Sequence, residues 1–353
     1  TPIPTPPPLD VVNLAVEMAP IAKVGGMGDV VTALGRAVMD LNHGVTVLLP
    51  KFNCINYALV DHLREDASSA FHFGGCLVKV WLAEVEGLQT VLLDPSNGFF
   101  NRGSVYQGNE DSMRFGFFCG AALEYLRRHR KPEHLPTILR DYYYHRGAGI
   151  GDCVGDPNLL TPPPPTTYTP LLNARMVLHC HDWPSAPTTW MALGSLTPLS
   201  DAASAFISSP NSPNSSSSNS SNSSKSSPTL PPLPPPPPIL AFPHPFSQAP
   251  KTVFTVHNLS YGVDLLARAL AAADRSTTVS PTYAREVSHQ SAVKPHLTKL
   301  RGVLNGIDDE VWDPRGDALL PRTYDWRSEA EGKAAARREL RRRLGLWGPV
   351  ANR

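Results

Sequence analysis

The sequence predicts an open, doubly wound α/β sheet whose largely parallel strands carry helices on both faces. Three observations point there. Short apolar runs of buried-strand length recur along the chain, a helical pattern joins the first two of them, and polar residues stand repeatedly where such runs end.

The first run is Val11-Val12-Asn13-Leu14-Ala15-Val16. A glycine-rich loop follows, and then Val30, Val31, Leu34, Val38 and Leu41 mark one apolar face at helical spacing. Asn42-His43-Gly44 supplies a stop signal with glycine as the expected cap, and Val45-Thr46-Val47-Leu48-Leu49 is the second buried strand. Together these make a βαβ unit of a parallel sheet. The alternation continues through strands at Leu77–Trp81 and Thr90–Leu93 and a helix lined by Phe115, Phe118, Cys119, Ala122 and Leu126. Further strands are expected at Met176–Cys180, Thr252–Val256, Ser276–Val279 and Gly302–Leu304.

Proline divides the chain. Of 353 residues 37 are proline, crowded into residues 1–8, 162–170 and 228–250, and such stretches bury too little apolar surface to offset the entropy of ordering them. A Pro-rich lead over residues 1–9 and insertions at 131–170 and 195–250 are therefore expected, the second Ser/Asn/Pro-rich and disordered.

Charge is balanced, 32 Lys and Arg against 31 Asp and Glu, which gives no global field for nucleic acid or an anionic membrane. No apolar run reaches the length of about 18 residues that spans a bilayer. The five cysteines are scattered without a C-x-x-C pair, arguing against a disulfide framework and a cysteine-rich zinc site and for a reducing compartment.

Chemistry concentrates at strand ends. Lys23-Val24-Gly25-Gly26-Met27-Gly28-Asp29 lies between a strand and a helix N-terminus. Glycines there let a ligand approach the backbone, the free amides and helix dipole attract phosphate, and Lys23 adds a mobile positive charge. Asp29, in the first turn, is placed to hold a hydroxyl or to cap the helix. A tight turn with a surface lysine is the competing reading. A dinucleotide fingerprint would need a third glycine where Val31 stands and an acidic residue after Val45–Leu49, where Pro50-Lys51 stand, so a nicotinamide oxidoreductase is disfavoured. His179-Cys180-His181-Asp182-Trp183 closes another strand; two histidines on one face raise the question of zinc, but no third ligand stands at familiar spacing, and no metal is expected. Asp182 to anchor hydroxyls and Trp183 as a flat surface suit a sugar better. His257-Asn258 and Asn305-Gly306 likewise end apolar strands.

These residues carry a resemblance. Lys23–Asp29, His179–Trp183, His257–Asn258, Thr277–Glu286 and Leu304–Pro314 occur in the order and at positions resembling the bacterial glycogen and plant starch synthases. Asn97–Phe100, Val105-Tyr106 and Arg114–Cys119 resemble the class III soluble starch synthases of plants and algae in particular. The resemblance covers residues 10–130, 175–195 and 251–345.

It implies a retaining glucosyltransferase of the GT-B type, built from two Rossmann-like domains, that moves glucose from ADP-glucose to the non-reducing end of an α-1,4-glucan without a cofactor. Residues 10–330 would be the N-terminal catalytic domain, and 331–353, with a basic helix over Lys333–Leu344, the interdomain helix and the start of a C-terminal nucleotide-binding domain needed to complete the site. By the same resemblance Lys23, His257 and Asp182 are the expected catalytic residues, and Glu17, Gly25, Gly26, Asp29, Tyr106, Asn258 and Asn305 the expected substrate contacts. A plastid address, in the chloroplast stroma and on starch granules, is implied as well. The expected partners are ADP-glucose and amylose or amylopectin, with neither nucleic acid nor membrane, and this stretch alone is expected to be inactive. The alternative is a non-catalytic glucan-binding or scaffold protein derived from such an enzyme.

Overall fold

The computed structural model describes residues 7–131, 134–140, 176–193, 250–309 and 311–346, in two compact units, Thr1–Asn305 and Gly306–Arg353. The first unit is built on β1 (Asp10–Leu14) and β2 (Gly44–Pro50), which pair in parallel and are buried along their whole length. Strands buried on both faces read as continuous apolar runs rather than alternating ones, which is why both were plain in the sequence. Between them runs α1 (Gly26–Asp40), with Met27, Val31 and Thr32 turned inward and Gly35 letting the helix close on the sheet, where an added Cβ would lie 2.9 Å from Leu88. Its end differs from the expected glycine cap: Leu41 is the last capping residue and Asn42 takes the left-handed conformation at φ 61°, while Gly44 already belongs to β2. Asparagine tolerates that conformation because its short polar side chain can bond locally.

The next segment is antiparallel. β3 (Asp61–Glu65) and β4 (Phe71–Phe73) both pair with β5 (Cys76–Val85), which returns as β6 (Leu88–Pro95) through a two-residue turn with Glu86 at φ 51° and Gly87 at φ 75°. Two positive φ values are what a type I′ hairpin needs. The expected strands at Leu77–Trp81 and Thr90–Leu93 thus form one long hairpin rather than another parallel crossover. β6 then joins β2 in parallel.

The helix expected around Phe115–Leu126 is α2 (Asp111–Glu124), continued by a π-helical turn over Tyr125–His129. Arg130 next reaches the amino ends of β1 and β2, giving a two-pronged bond to the Asp10 carboxylate (2.5 and 3.1 Å) and another to the Thr46 hydroxyl (2.9 Å). The described part of the first expected insertion is packed rather than loose: His134 is buried between Asp66 and Tyr125, and Leu139 fills the space above Gly44. The rest of that insertion, and residues 195–249 of the second, lie outside the described residues.

On the other side of β1, β7 (Met176–His181), β8 (Lys251–Val256), β9 (Arg275–Thr278) and β10 (Leu300–Gly302) add in parallel, so the described sheet runs β10-β9-β8-β7-β1-β2-β6-β5-β3 with β4 beside β5. The last strand sits two residues before the expected one, and Val303 and Leu304 are 56% and 74% exposed. Short helices α3 (Asp182–Ser185) and α4 (Pro187–Met191) follow β7, α5 (Val263–Ala272) follows β8, and α6 (Pro281–Val287) follows β9. The N-cap of α5, Gly262, combines φ 61° with a hypothetical Cβ only 2.7 Å from Trp183, so no other residue fits there without displacing that ring.

The second unit carries α7 (Glu329–Arg343), the basic helix of the sequence, packed through Gly332 on Tyr324 and laced by Glu329–Lys333 and Glu339–Arg342 pairs. Leu340 and Leu344 remain exposed.

Candidate functional site

Chain order reverses beside β1, which has β2 on one side and β7 on the other. At such a switch point the loops leaving adjacent strands part and open a crevice at the carboxyl ends. Here the loops after β1, β7 and β8 deliver Glu17 with the Lys23–Asp29 loop, Asp182, and His257 with Asn258.

Glu17 organises the first loop. Its carboxylate is 4% exposed, and all of its bonds are internal: Oε2 accepts the amides of Val24 (2.9 Å) and Gly25 (2.7 Å), while Oε1 accepts the Tyr106 hydroxyl (2.7 Å). Tyr106 comes from the loop before α2, 89 residues away in sequence, and its phenol is held far above the usual range by burial and then by the Glu17 charge. Glu17 is therefore the clamp that shapes the loop, with Tyr106 bracing it from behind. The amides of Val24 and Gly25 are taken by this internal carboxylate, which leaves the first turn of α1 as the source of free N–H groups, since the opening amides of a helix have no intrahelical acceptor.

The glycines divide by role. At Gly26 an added Cβ would meet nothing within 4 Å, and at Gly25 only the Glu17 oxygen at 4.0 Å, so the space above both is open to a ligand. Gly28 is needed by the fold itself, since a Cβ there would press on the Ala19 backbone at 3.3 Å. Lys23 and Asp29 form an ion pair at 2.8 Å with side chains 40% and 42% exposed. Asp29 neither caps α1 nor stands free for a hydroxyl; it holds the lysine.

Asp182 begins α3 at φ 59°, a strained conformation for a residue with a side chain, and it is 8% exposed with Oδ1 buried and unpaired among the described residues. Burial lifts its carboxyl to about 7, opposed by the backbone amides of Trp183 and Asn258 and reinforced by the charge of Glu17. Strain and an orphaned buried oxygen in one residue are what functional positions accumulate.

Behind it stands a histidine network. The His181 ring touches Asn13 Oδ1 through Nε2 (3.1 Å) and His257 Nε2 through Nδ1 (3.2 Å), and His179 Nε2 meets the Thr255 hydroxyl at 2.7 Å. Burial holds His179 and His257 down to about 4 and His181 well below the ordinary imidazole value, so all three are neutral at neutral pH. Both nitrogens of His181, Nε2 of His179 and Nε2 of His257 are engaged within this network or with Asn13 and Thr255, and among the described residues no group of three His, Cys, Asp or Glu is arranged for a metal ion.

Glu17, Tyr106, Gly25, Asp182 and His257 are thus gathered in one place, with the Lys23–Asp29 pair on the same loop. Asn258 contributes its backbone amide near Asp182, while its side chain turns back to accept the Ser260 amide at 2.8 Å. Asn305 is exposed after β10 and bonds through its amide to Val279 (3.3 Å); among the described residues no hydrogen bond ties it to the others. Trp183, expected as an open sugar platform, packs instead against Phe115 and Tyr106, with ring centroids 5.5 and 6.4 Å away. Sequence reasoning missed Asn13, whose one signal was a polar residue inside a fully buried strand.

The clamp makes a prediction. Glu17→Ala orphans two amides and a hydroxyl and should lower stability by about 2–4 kcal/mol in denaturant melts. Glu17→Gln, whose amide oxygen can still accept both N–H groups, should lose less than half as much. Equal losses would show that the charge, not the hydrogen bonds, holds the loop.

Comparison with known proteins gives the chain a family. The Starch synthase catalytic domain family matches residues 10–141 and 239–304. Starch synthase 3, chloroplastic/amyloplastic, of Arabidopsis thaliana is 37% identical over 340 residues, covering 96% of this chain and 24% of the relative. Soluble starch synthase 3 of Solanum tuberosum is also 37% identical over 96% of the chain, which spans 20% of that protein. Glycogen synthase 1 of Nitrosococcus oceani is 26% identical, with 94% of the chain and 59% of the relative aligned. Among solved structures, the catalytic domain of Starch Synthase IV from Arabidopsis thaliana bound to ADP and acarbose superposes with a TM-score of 0.60 at 25% identity, covering 98% of this chain and 61% of that one. The chain spans less than a quarter of the length of these two plant starch synthases.

Proposed function

The chain belongs to the family of the starch synthase catalytic domain, with the α/β fold of the GT-B glycosyltransferases, and from that premise we propose that it forms the acceptor-side wall of an enzyme that moves glucose from ADP-glucose to the non-reducing end of an α-1,4-glucan with retention. The observation that carries the reading is the gathering of the clamped lysine loop, Asp182 and His257 at the switch point of the sheet. ADP and acarbose, an oligosaccharide analogue, occupy the Starch Synthase IV relative, and the same two ligand classes suit this crevice.

In this reading Lys23 and the first-turn amides of α1 face the diphosphate, where they neutralise the charge that grows as ADP departs. Retention requires that the acceptor hydroxyl attack from the face that ADP leaves, and no side chain of the site is placed as an obvious nucleophile. The chain's task is to hold both reactants and steady an ion-pair-like transition state. Asp182, buried and close to half ionised at neutral pH, supplies negative charge toward the developing oxocarbenium sugar, and His257 orients the sugar. A C-terminal nucleotide-binding domain completes the cleft. The plastid stroma and starch granules are the proposed address, by analogy with the chloroplastic/amyloplastic relatives.

The test is transfer of labelled glucose from ADP-glucose to amylopectin by this chain joined to a starch synthase C-terminal domain. Labelled α-1,4-linked glucose at chain ends is expected. A folded fusion that binds amylopectin without turnover would replace the enzyme reading with that of a glucan-binding or scaffold protein.

A further inference from the structure

Asn13, His181 and His257 lie on three adjacent strands or strand ends, β1, β7 and the exit of β8, and form one unbroken line of hydrogen bonds. Asn13 is 2% exposed and His181 is fully buried, so water does not compete for these contacts. The acceptor at one end sets the direction of the whole line. Because Asn13 presents its oxygen, Oδ1, to His181 Nε2 at 3.1 Å, that nitrogen must carry the proton. A neutral imidazole has one N–H, so His181 Nδ1 is bare and must accept at 3.2 Å from His257 Nε2, which is then the protonated nitrogen of His257. His257 Nδ1 is left bare. Among the described residues it has no hydrogen-bond partner, and it is not among the sealed, unpaired atoms, so it stands open for one.

We infer that Asn13 and His181 are positioning residues that lock His257 in the Nε2–H form, so that its Nδ1 meets the bound sugar only as a hydrogen-bond acceptor. The inference rests on the reading of the crevice as a sugar site. Its chemical consequence is a preference for a hydroxyl at the position facing His257: a hydroxyl can donate to a bare nitrogen, whereas fluorine or a methyl ether cannot. Sites built to accept a particular proton reject analogues that lack it more sharply than sites that merely fit its shape. The neutrality of all three imidazoles is consistent with a fixed tautomer, since a charged ring would donate from both nitrogens and erase the direction.

The lock is read directly by nuclear magnetic resonance on the full chain with isotopically labelled histidine at neutral pH, where long-range proton–nitrogen correlations separate protonated from bare ring nitrogens. His181 and His257, assigned by the loss of their signals in His181→Gln and His257→Gln, should each show a single tautomer with the proton on Nε2. In Asn13→Leu, which removes the acceptor while keeping the branched outline of the side chain, His257 should become a mixture of tautomers. In the chain joined to a starch synthase C-terminal domain, addition of ADP-glucose should shift His257 Nδ1, and the affinity for ADP-glucose should fall about tenfold in Asn13→Leu, the size of one hydrogen bond. A proton found on His257 Nδ1, or a single Nε2–H tautomer that persists in folded Asn13→Leu, overturns the lock. Should Asn13→Leu fail to fold, the tautomer of the parent chain alone decides. A correct tautomer in a chain whose fusion to a starch synthase C-terminal domain binds neither ADP-glucose nor maltooligosaccharide upholds the lock and strikes instead at the reading of the crevice.

Discussion

Asp182→Asn is expected to stabilise the chain at alkaline pH while reducing glucose transfer, in the fusion with a starch synthase C-terminal domain, by a hundredfold or more. Burial raises the folded carboxyl from 3.8 to about 7, whereas the unfolded chain releases the same proton near its ordinary value. Between those two values the folded state holds a proton that the unfolded state has lost. Stability from this group is therefore complete below about pH 4 and is lost as pH rises through about 7. Above that, keeping a charge in a site only 8% exposed costs up to about 4 kcal/mol, an upper bound because neighbouring amides and local rearrangement absorb part of it. Asparagine carries no charge and tolerates the left-handed φ of 59° better than most residues. Melts at pH 8 should place the variant about 1–3 kcal/mol above the parent, or roughly 3–9 °C for a domain of this size, and the advantage should vanish at pH 4. Transfer should fall because asparagine cannot supply negative charge to a developing oxocarbenium centre; a factor of about 10² corresponds to some 2.7 kcal/mol of transition-state stabilisation. A variant that gains no stability at pH 8 would mean that Asp182 is not buried as a charge. One that gains stability and keeps its rate would make Asp182 a strained structural residue.

What was legible in the sequence follows from burial. β1 and β2 are enclosed on both faces, so their composition is set by the core alone, and a run such as Val45–Leu49 admits one reading. β3 was not legible: Asp61-His62-Leu63-Arg64-Glu65 is an edge strand whose charged residues discourage pairing with other chains, and in one dimension such a segment resembles a loop. α5 carried its signal in Leu265, Leu266, Ala269 and Leu270, all buried at helical spacing, yet it begins with Gly262, which reads as a turn until Trp183 is seen against it. The same contrast runs through the site. The lysine loop, Asp182 and His257 were visible because polar residues at the ends of apolar strands are costly without a purpose. The role of Glu17 was not visible, because its partners are two backbone amides and a hydroxyl 89 residues away. A motif shows which side chains are present; which of them are already consumed by the fold is a property of three-dimensional proximity. Glu17 and Asp29 are consumed in that sense, one by the loop amides and the other by Lys23.

Lys23→Ala is expected to lower glucose transfer by a factor of tens to thousands in the fusion with a C-terminal domain, with little change in the stability of the chain. The two halves of that expectation have separate grounds. Lys23 is 40% exposed and paired with an equally exposed Asp29, and such surface pairs are worth at most about 1 kcal/mol because solvent screens them and two long side chains must be ordered. The fold loses little with the lysine. The reaction loses much, because closing a nucleotide domain over the crevice removes water and lets a single ammonium act on the departing diphosphate through a low dielectric, where one charge is worth about 2–4 kcal/mol in the transition state. Asp29 bears on the size of the effect. In the open chain its carboxylate neutralises the lysine at 2.8 Å, so donor binding must draw the ammonium away from Asp29 or leave it shared. Asp29→Asn should therefore free Lys23 and tighten the binding of free ADP, whereas Lys23→Ala should weaken it, and the double variant should resemble Lys23→Ala alone. Calorimetric titration with ADP, alongside initial rates on amylopectin, measures all three. Additive effects in the double variant would show that the two residues act on the nucleotide independently, and an unchanged rate in Lys23→Ala would reduce the loop to the tight turn that a glycine-rich sequence by itself allows.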